Sequence, residues 1–234
     1  MGKEQVHGVF ESIADQYDAA NDSISFGMHR SWKKDLVDKA VAATRTSDLG
    51  KVLDVCCGTG DITEKIARSH PDIFVVGLDF SEEMLNVARA RTKDLDNVML
   101  VEGNALSLPF DDSTFDSAVI SFGLRNTPDY EKVLSEMMRV VRPGGIVACL
   151  DASVPDDELI VPFYKLYYKY IMTFLGGGFT KHKQYEWLYE STMDFLRKDE
   201  LAALFKKVGL KYVTVQAFLF GAAALHLGVV PEKA

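Results

Sequence analysis

The run Val52-Leu53-Asp54-Val55-Cys56-Cys57-Gly58-Thr59-Gly60-Asp61 decides how the rest of the chain is read. Val52 to Val55 is apolar except for Asp54, as a buried strand would be. Gly58 and Gly60 permit a tight turn and let the backbone approach a ligand with no Cβ in the way. A helical pattern then runs from Ile62 through Ile66 and Ala67. Strand, glycine turn and helix start together make a nucleotide cradle whose N–H groups face the ligand.

The next strand, Phe74 to Leu78, is closed by Asp79, which lies 19 residues past Gly60. A βαβ unit places its ribose-binding acid at about 20 residues. A carboxylate belongs there because it accepts hydrogen bonds from both hydroxyls of one ribose. Dinucleotide sites carry a third glycine three residues after the second, so that the helix packs under a pyrophosphate. Here that position is Thr63. Asp54 and Asp61 flank the turn, and acids suit a sulfonium and an ammonium better than a pyrophosphate. The residues therefore favour S-adenosylmethionine as cofactor, with NAD as the weaker choice.

At 234 residues and 47% apolar, the chain has room for an α/β core with an embellishment. A net charge of -8 argues against a nucleic-acid partner. No apolar run approaches the ~20 residues that span a bilayer, and the N-terminus lacks the apolar stretch of a secretory signal. The three cysteines form no Cys-x-x-Cys pair, so neither zinc nor any other metal is expected. This pattern fits a cytoplasmic, reducing compartment.

Strands alternate with helices along the chain. Strands are expected at 51–55, 73–79, 98–101, 115–122 and 146–150, with Ser81 as an N-cap and a helix over 130–141 stopped by Arg142-Pro143-Gly144-Gly145. A helix over 198–208 and strands at 211–217 and 222–229 close the chain, placing one antiparallel strand in the sheet. The fold class is α/β: a doubly wound, mostly parallel, seven-stranded Rossmann-like sheet in one domain over 1–234. Residues 1–45 read as helices, the later one over 32–43, that serve as a lid or pack on a sheet edge. Residues 152–192 form an aromatic-rich helical insertion, either an amphipathic cover or an apolar roof for a hydrophobic substrate near a membrane surface. Ligands in such sheets sit at the carboxyl ends of the strands. Asp54, Asp79, Asn104, Ser121 and Asp151 stand there. Asn104 and Ala105 suit the adenine, and Ser121 the methyl-bearing sulfur.

Several segments together resemble one family, the S-adenosylmethionine-dependent C-methyltransferases of menaquinone and ubiquinone biosynthesis. They are Val9 to Ala14 with Tyr17-Asp18, Ser25 to Arg30 with Trp32-Lys33, Val52 to Asp61, Asn104 to Phe110, Phe122-Gly123-Leu124-Arg125-Asn126, Arg139 to Gly145, and Gly221 to Ala223 with His226. The resemblance implies cofactor contacts at Thr59, Asp79, Asn104, Ala105 and Ser121, beside Asp54, Gly58 and Gly60 of the turn. It implies methyl transfer to a ring carbon of a prenylated naphthoquinol. The insertion is more like the menaquinone branch. Asp151-Ala152-Ser153 and Asp194-Phe195-Leu196-Arg197 depart from the family's pattern. Arg125 and Asn126 are the first candidates to orient a phenolate or a water, followed by Tyr17 and His29 from the lid. A ubiquinone-pathway quinol, or O- or N-methylation of another small hydrophobic molecule, stays open as an alternative. So do peripheral contact with the inner face of the membrane and a homo-oligomeric state.

Overall fold

The computed structural model describes residues 27–44, 49–155, 157, 159–166 and 189–232. Tyr17, the helical pattern before residue 27, and the insertion's aromatics from Tyr167 to Trp187 lie outside the described residues.

Seven strands form one sheet in the order β3-β2-β1-β4-β5-β7-β6. They are β1 Gly50–Val55, β2 Ile73–Asp79, β3 Val98–Glu102, β4 Phe115–Ser121, β5 Val141–Ala152, β6 Lys211–Phe218 and β7 Ala223–Val229. Strands β1 to β5 pair in parallel, and β7 runs antiparallel to both β5 and β6. The order reverses between β1 and β4, which opens a crevice at the carboxyl ends of those two strands.

The central strands are apolar on both sides because helices cover both. Leu53, Val55, Val76, Leu78, Ala118, Ile120, Val147 and Cys149 pack with α4 (Tyr130–Val140) and α6 (Lys198–Lys207). The alternate positions Val52, Val75, Val119, Ala148 and Leu150 pack with α1 (His29–Ala42) and α2 (Asp61–Ser69). The remaining described helices are α3 (Glu82–Thr92) and α5 (Val161–Leu166). Ser81 caps α3, its hydroxyl accepting from the N–H of Met84 at 3.3 Å.

Two element starts lie three or more residues from the sequence expectation. Helix α1 begins at His29 rather than Trp32. Strand β5 starts at Val141, so the Arg-Pro-Gly-Gly turn lies inside the strand as an irregularity instead of preceding it. Phe115 pairs with Val141, and Ser117 with Ile146. Gly144 takes a positive φ of 78°, and a Cβ on Gly145 would lie 2.4 Å from the Asp116 carbonyl oxygen. The glycine pair marks a bulge that passes close to β4.

Helix α1 runs opposite to the parallel strands. Near its end, the Ala40 carbonyl accepts from the hydroxyl of Ser117, early in β4. At its beginning, Trp32 stacks on Phe218, the last residue of β6, with ring centroids 5.5 Å apart. The first turns of α1 therefore stand at the carboxyl ends of the strands.

Candidate active site

The loop after β1 is bound to β2 by its own backbone. Cys57 N–H donates to the Leu78 carbonyl at 3.0 Å, and Gly60 N–H to the Cys57 carbonyl at 2.9 Å. Gly58 N–H donates to Asp79 Oδ2 at 2.8 Å, while Ser81 N–H donates to Asp79 Oδ1 at 3.0 Å. One carboxylate thus holds the glycine turn and the start of α3 in a fixed relation. Both glycines have positive φ, for different reasons. At Gly60 (77°) a Cβ would lie 2.9 Å from Ala88 Cβ, so the turn needs a bare backbone to pass α3. At Gly58 (56°) a Cβ would meet nothing within 4 Å, so the backbone borders open space. Thr59, between them, is buried.

Beneath the turn, Asp54 Oδ2 accepts from both the N–H (3.0 Å) and the hydroxyl (2.7 Å) of Thr63. Thr63 fits because of Gly77 in β2, whose Cβ would lie 2.9 Å from the Thr63 hydroxyl oxygen. The close packing that dinucleotide folds obtain from a helix glycine is obtained here from a strand glycine. Burial pushes the Asp54 carboxyl up to about 7; the Thr63 bonds pull it back, and Asp61 and Asp79 add to the rise. Asp61 behaves oppositely. Burial alone would raise it, but Lys33 and Lys65 hold it down at about 2. Asp61 is therefore already balanced by cations of the chain. Asp61 thus brings no unbalanced negative charge toward a cationic ligand.

Asn104 follows β3 and is exposed. Its Oδ1 accepts from Leu106 N–H at 3.0 Å, forming a local turn, and Ala105 is buried beside it. Sequence reasoning did not assign the clasp that holds this loop. Glu136 Oε2 accepts from Leu108 N–H at 2.9 Å and from Arg139 at 2.8 Å, while Arg139 donates to the carbonyls of Leu108 and Phe110. The Arg139 guanidinium holds Glu136 down at about 2 against the opposing effect of burial. The available signal was a Glu–Arg pair three apart on α4 with Arg139 in a resembling segment.

On the other side of the crevice β4 ends at Ser121. Its Oγ is buried with no hydrogen-bond partner among the described residues. Phe122 follows at φ 54°, opposite Cys56 at φ 55° after the neighbouring β1. A left-handed backbone at such a residue costs ~1–2 kcal/mol. Two strained residues at the ends of adjacent strands are the kind of feature that accumulates at functional sites. Arg125 sits in the turn Leu124–Asn126, buried. Its Nη1 donates to Asp151 Oδ1 and, at 2.9 Å, to the Phe122 carbonyl; its N–H donates to Asp151 Oδ2 at 3.2 Å. This side chain is held by the protein itself and so fixes the turn. Asn126 leaves its Oδ1 buried without a partner among the described residues. His29 is buried at the first position of α1.

Burial first, with nearby carboxylates adding, raises the thiols of Cys56 and Cys57 well above the usual range, which makes them poor nucleophiles. Among the described residues there is no group of three or more His, Cys, Asp or Glu that could hold a metal.

The carboxyl ends of β1, β2, β3 and β4 thus bring together Asp54, Gly58, Thr59, Gly60, Asp79, Asn104, Ala105 and Ser121, with Arg125 and Asn126 just beyond. An open glycine turn, a strand-end acid and a buried unfilled hydroxyl fit S-adenosylmethionine. The chain's fold is that of solved methyltransferases. It matches a SAM-dependent methyltransferase from Aquifex aeolicus with TM-score 0.55 at 17% identity, covering 86% of this chain and 97% of that one. It matches Haemonchus contortus phosphoethanolamine N-methyltransferase 2, solved in complex with S-adenosyl-L-methionine, with TM-score 0.61 at 16% identity, covering 85% and 53%. Fold and site together define a methyltransferase. More narrowly, the chain belongs to the ubiE/COQ5 methyltransferase family, whose model matches residues 1–230. It is 48% identical to the demethylmenaquinone methyltransferase of Bacillus mycoides (strain KBAB4), over 99% of this chain and 98% of that protein. It is 46% identical to the Staphylococcus carnosus (strain TM300) enzyme of the same name, over 97% and 93%.

Proposed function

We propose that this enzyme transfers the methyl group of S-adenosylmethionine to a ring carbon of demethylmenaquinol, giving menaquinol. The observation that carries the reading is the asymmetry of the crevice. A finished cradle lies over β1 and β2, and buried unfilled polar atoms, Ser121 Oγ and Asn126 Oδ1, stand past β4. Identity of 46–48% to demethylmenaquinone methyltransferases over nearly the whole chain supports the choice of acceptor.

S-adenosylmethionine supplies an electrophilic methyl carbon on a sulfonium. The chain's work is alignment, worth up to ~7–11 kcal/mol in well-oriented reactions, and removal of a proton. The new bond forms between ring carbon and methyl carbon as the sulfur–methyl bond breaks, and the displaced ring proton leaves to solvent. Asn126 Oδ1 is an acceptor for a phenolic O–H or a water, which favours the electron-rich form of the ring. Arg125, clamped by Asp151, positions that amide. Asp79 would hold the ribose, and Asn104 with Ala105 the adenine. His29 and Tyr17 are the further candidates to orient the phenolate or a water.

Contact with a membrane surface belongs to the same reading, because the acceptor carries a prenyl chain. Phe163 on α5 is 73% exposed and Phe220 is 75% exposed. Ser153 ties together the segments that carry them: its N–H donates to the carbonyl of Ala222, two residues past Phe220, and its carbonyl accepts from the hydroxyl of Tyr164, next to Phe163. Among the described residues no helix is long and apolar enough to cross a membrane.

The test is incubation with methyl-labelled S-adenosylmethionine and a reduced demethylnaphthoquinone. Label on the ring carbon is the expected result. Label found only on oxygen or nitrogen acceptors, with the quinol unmodified, would overturn the assignment.

A further inference from the structure

Helix α1 brings a buried cation to the crevice. The Lys33 side chain is 7% exposed, and its Nζ lies 2.8 Å from Asp61 Oδ2. The same ammonium stands 6.0 Å from the centre of the Phe122 ring. Asp61 is the first residue of α2, directly after the β1 loop, and Phe122 belongs to the loop after β4. Lys33 therefore bridges the two lips of the crevice where the strand order reverses.

The cofactor's layout follows from the strand order. With adenine after β3 and ribose over Asp79 at β2, the amino-acid tail must continue across β1 toward β4, in steps of about 4.8 Å per strand. That tail is a zwitterion. Its α-carboxylate needs a cation, whereas β1, β2 and the start of α2 supply the carboxylates Asp54, Asp79 and Asp61. Lys33 is the cation standing at that point. Its release from Asp61 leaves that carboxylate with Lys65 and with Arg91, whose guanidinium is 3.9 Å away.

We infer that Lys33 is a cofactor-binding residue that takes the α-carboxylate of S-adenosylmethionine, exchanging its bond to Asp61 for one to the ligand. This assignment rests on the cofactor reading above and adds to it a residue on α1. It also gives α1 a role beyond covering the sheet, because the cofactor's tail then fixes the first turns of that helix.

The test is equilibrium binding to the full chain without acceptor. Three ligands are compared: S-adenosylmethionine, its decarboxylated form, and 5′-methylthioadenosine, which lacks the amino-acid tail. With the decarboxylated ligand Lys33 keeps its bond to Asp61, so wild type should prefer the carboxylated ligand by about 10-fold, ~1.4 kcal/mol. Lys33→Met should bring that preference to within about 3-fold, under ~1 kcal/mol, with 5′-methylthioadenosine binding unchanged. Asp61→Asn removes that fallback partner, leaves Lys33 unpaired against the decarboxylated ligand, and should widen the preference to roughly 30-fold or more. A gain of this kind cannot come from damage to the fold, so it decides the matter if Lys33→Met does not fold. An undiminished preference in Lys33→Met, an equal loss for both charged ligands, or no widening in Asp61→Asn would overturn the assignment. Failure of wild type to bind any of the three would overturn the cofactor reading itself and this inference with it.

Discussion

At the ends of β1, β2 and β3, polar side chains are met by the chain's own groups. Asp79 accepts from Gly58 and Ser81, Asp54 from Thr63, and Asn104 from Leu106. At the ends of β4 and β5, Ser121 Oγ, Asn126 Oδ1 and Ser153 Oγ are buried without partners among the described residues. A buried polar atom left unpaired costs about 1–3 kcal/mol. The cofactor half is thus a preorganised cradle, in which the ligand meets groups already in place. The acceptor half carries an energetic debt that a bound ligand or water would cancel. What holds the acceptor half in shape despite that debt is the Arg125–Asp151 pair.

The largest expected effect lies there. Asp151→Asn leaves the Arg125 guanidinium buried against a neutral partner, and should lower stability by about 3–5 kcal/mol in urea denaturation. Asp151→Glu keeps the charge and should cost clearly less. A loss under ~1 kcal/mol for the asparagine variant would mean that something else shapes the acceptor half.

The next effect belongs to the cofactor half and is pH-dependent. Asp54 titrates near 3.8 in the unfolded chain and at about 7 when folded. The folded chain therefore binds more protons between those values, and stability falls as pH rises through the interval. The penalty is absent below pH 3.8 and complete above pH 7, amounting to about 4 kcal/mol at ~1.4 per unit. Asp54→Asn should match wild type near pH 4 and exceed it increasingly up to pH 7. Parallel stability curves for the two proteins would remove Asp54 as the cause.

The two halves also differ in how far the sequence displayed them. The cofactor half is built from signals that are local or regularly spaced: two glycines, a strand, an acid at the end of the next strand. The sheet order follows from the same alternation. The acceptor half depends on pairs with no sequence period. Arg125 meets Asp151 26 residues away; the cofactor half also holds a pair of this kind, Lys33 with Asp61 28 residues away. Asp151 was visible only as a strand-end acid and a departure from the family's pattern. The start of β5 was obscured for a related reason. Arg-Pro-Gly-Gly has turn chemistry, and only pairing of Val141 with Phe115 brings it inside a strand.

Smaller effects separate the two glycines. Gly60→Ala combines a strained φ with a contact on Ala88 and should cost stability by roughly 1–3 kcal/mol. Gly58→Ala pays only the backbone term of about 1–2 kcal/mol, yet its methyl enters the open side of the cradle. S-adenosylmethionine affinity should therefore fall more, relative to stability lost, for Gly58→Ala than for Gly60→Ala. Calorimetric binding beside thermal unfolding reads both quantities. The reverse ranking would place the ligand away from Gly58.

The smallest expected effect has an unusual sign. Ser121→Ala removes a hydroxyl that is buried and unfilled, so the free protein should gain about 0.5–1 kcal/mol where most substitutions lose. The same change removes a group that the bound cofactor or acceptor would satisfy, so turnover should drop. Stability and activity then move in opposite directions at one atom, as expected if the acceptor half holds polar groups in reserve for a ligand. The equivalent truncation in the cofactor half, Thr63→Val, removes a hydroxyl already bonded to Asp54 and should lower stability. If Ser121→Ala destabilises the protein as Thr63→Val does, Ser121 is a structural hydroxyl and the contrast between the halves fails at that residue.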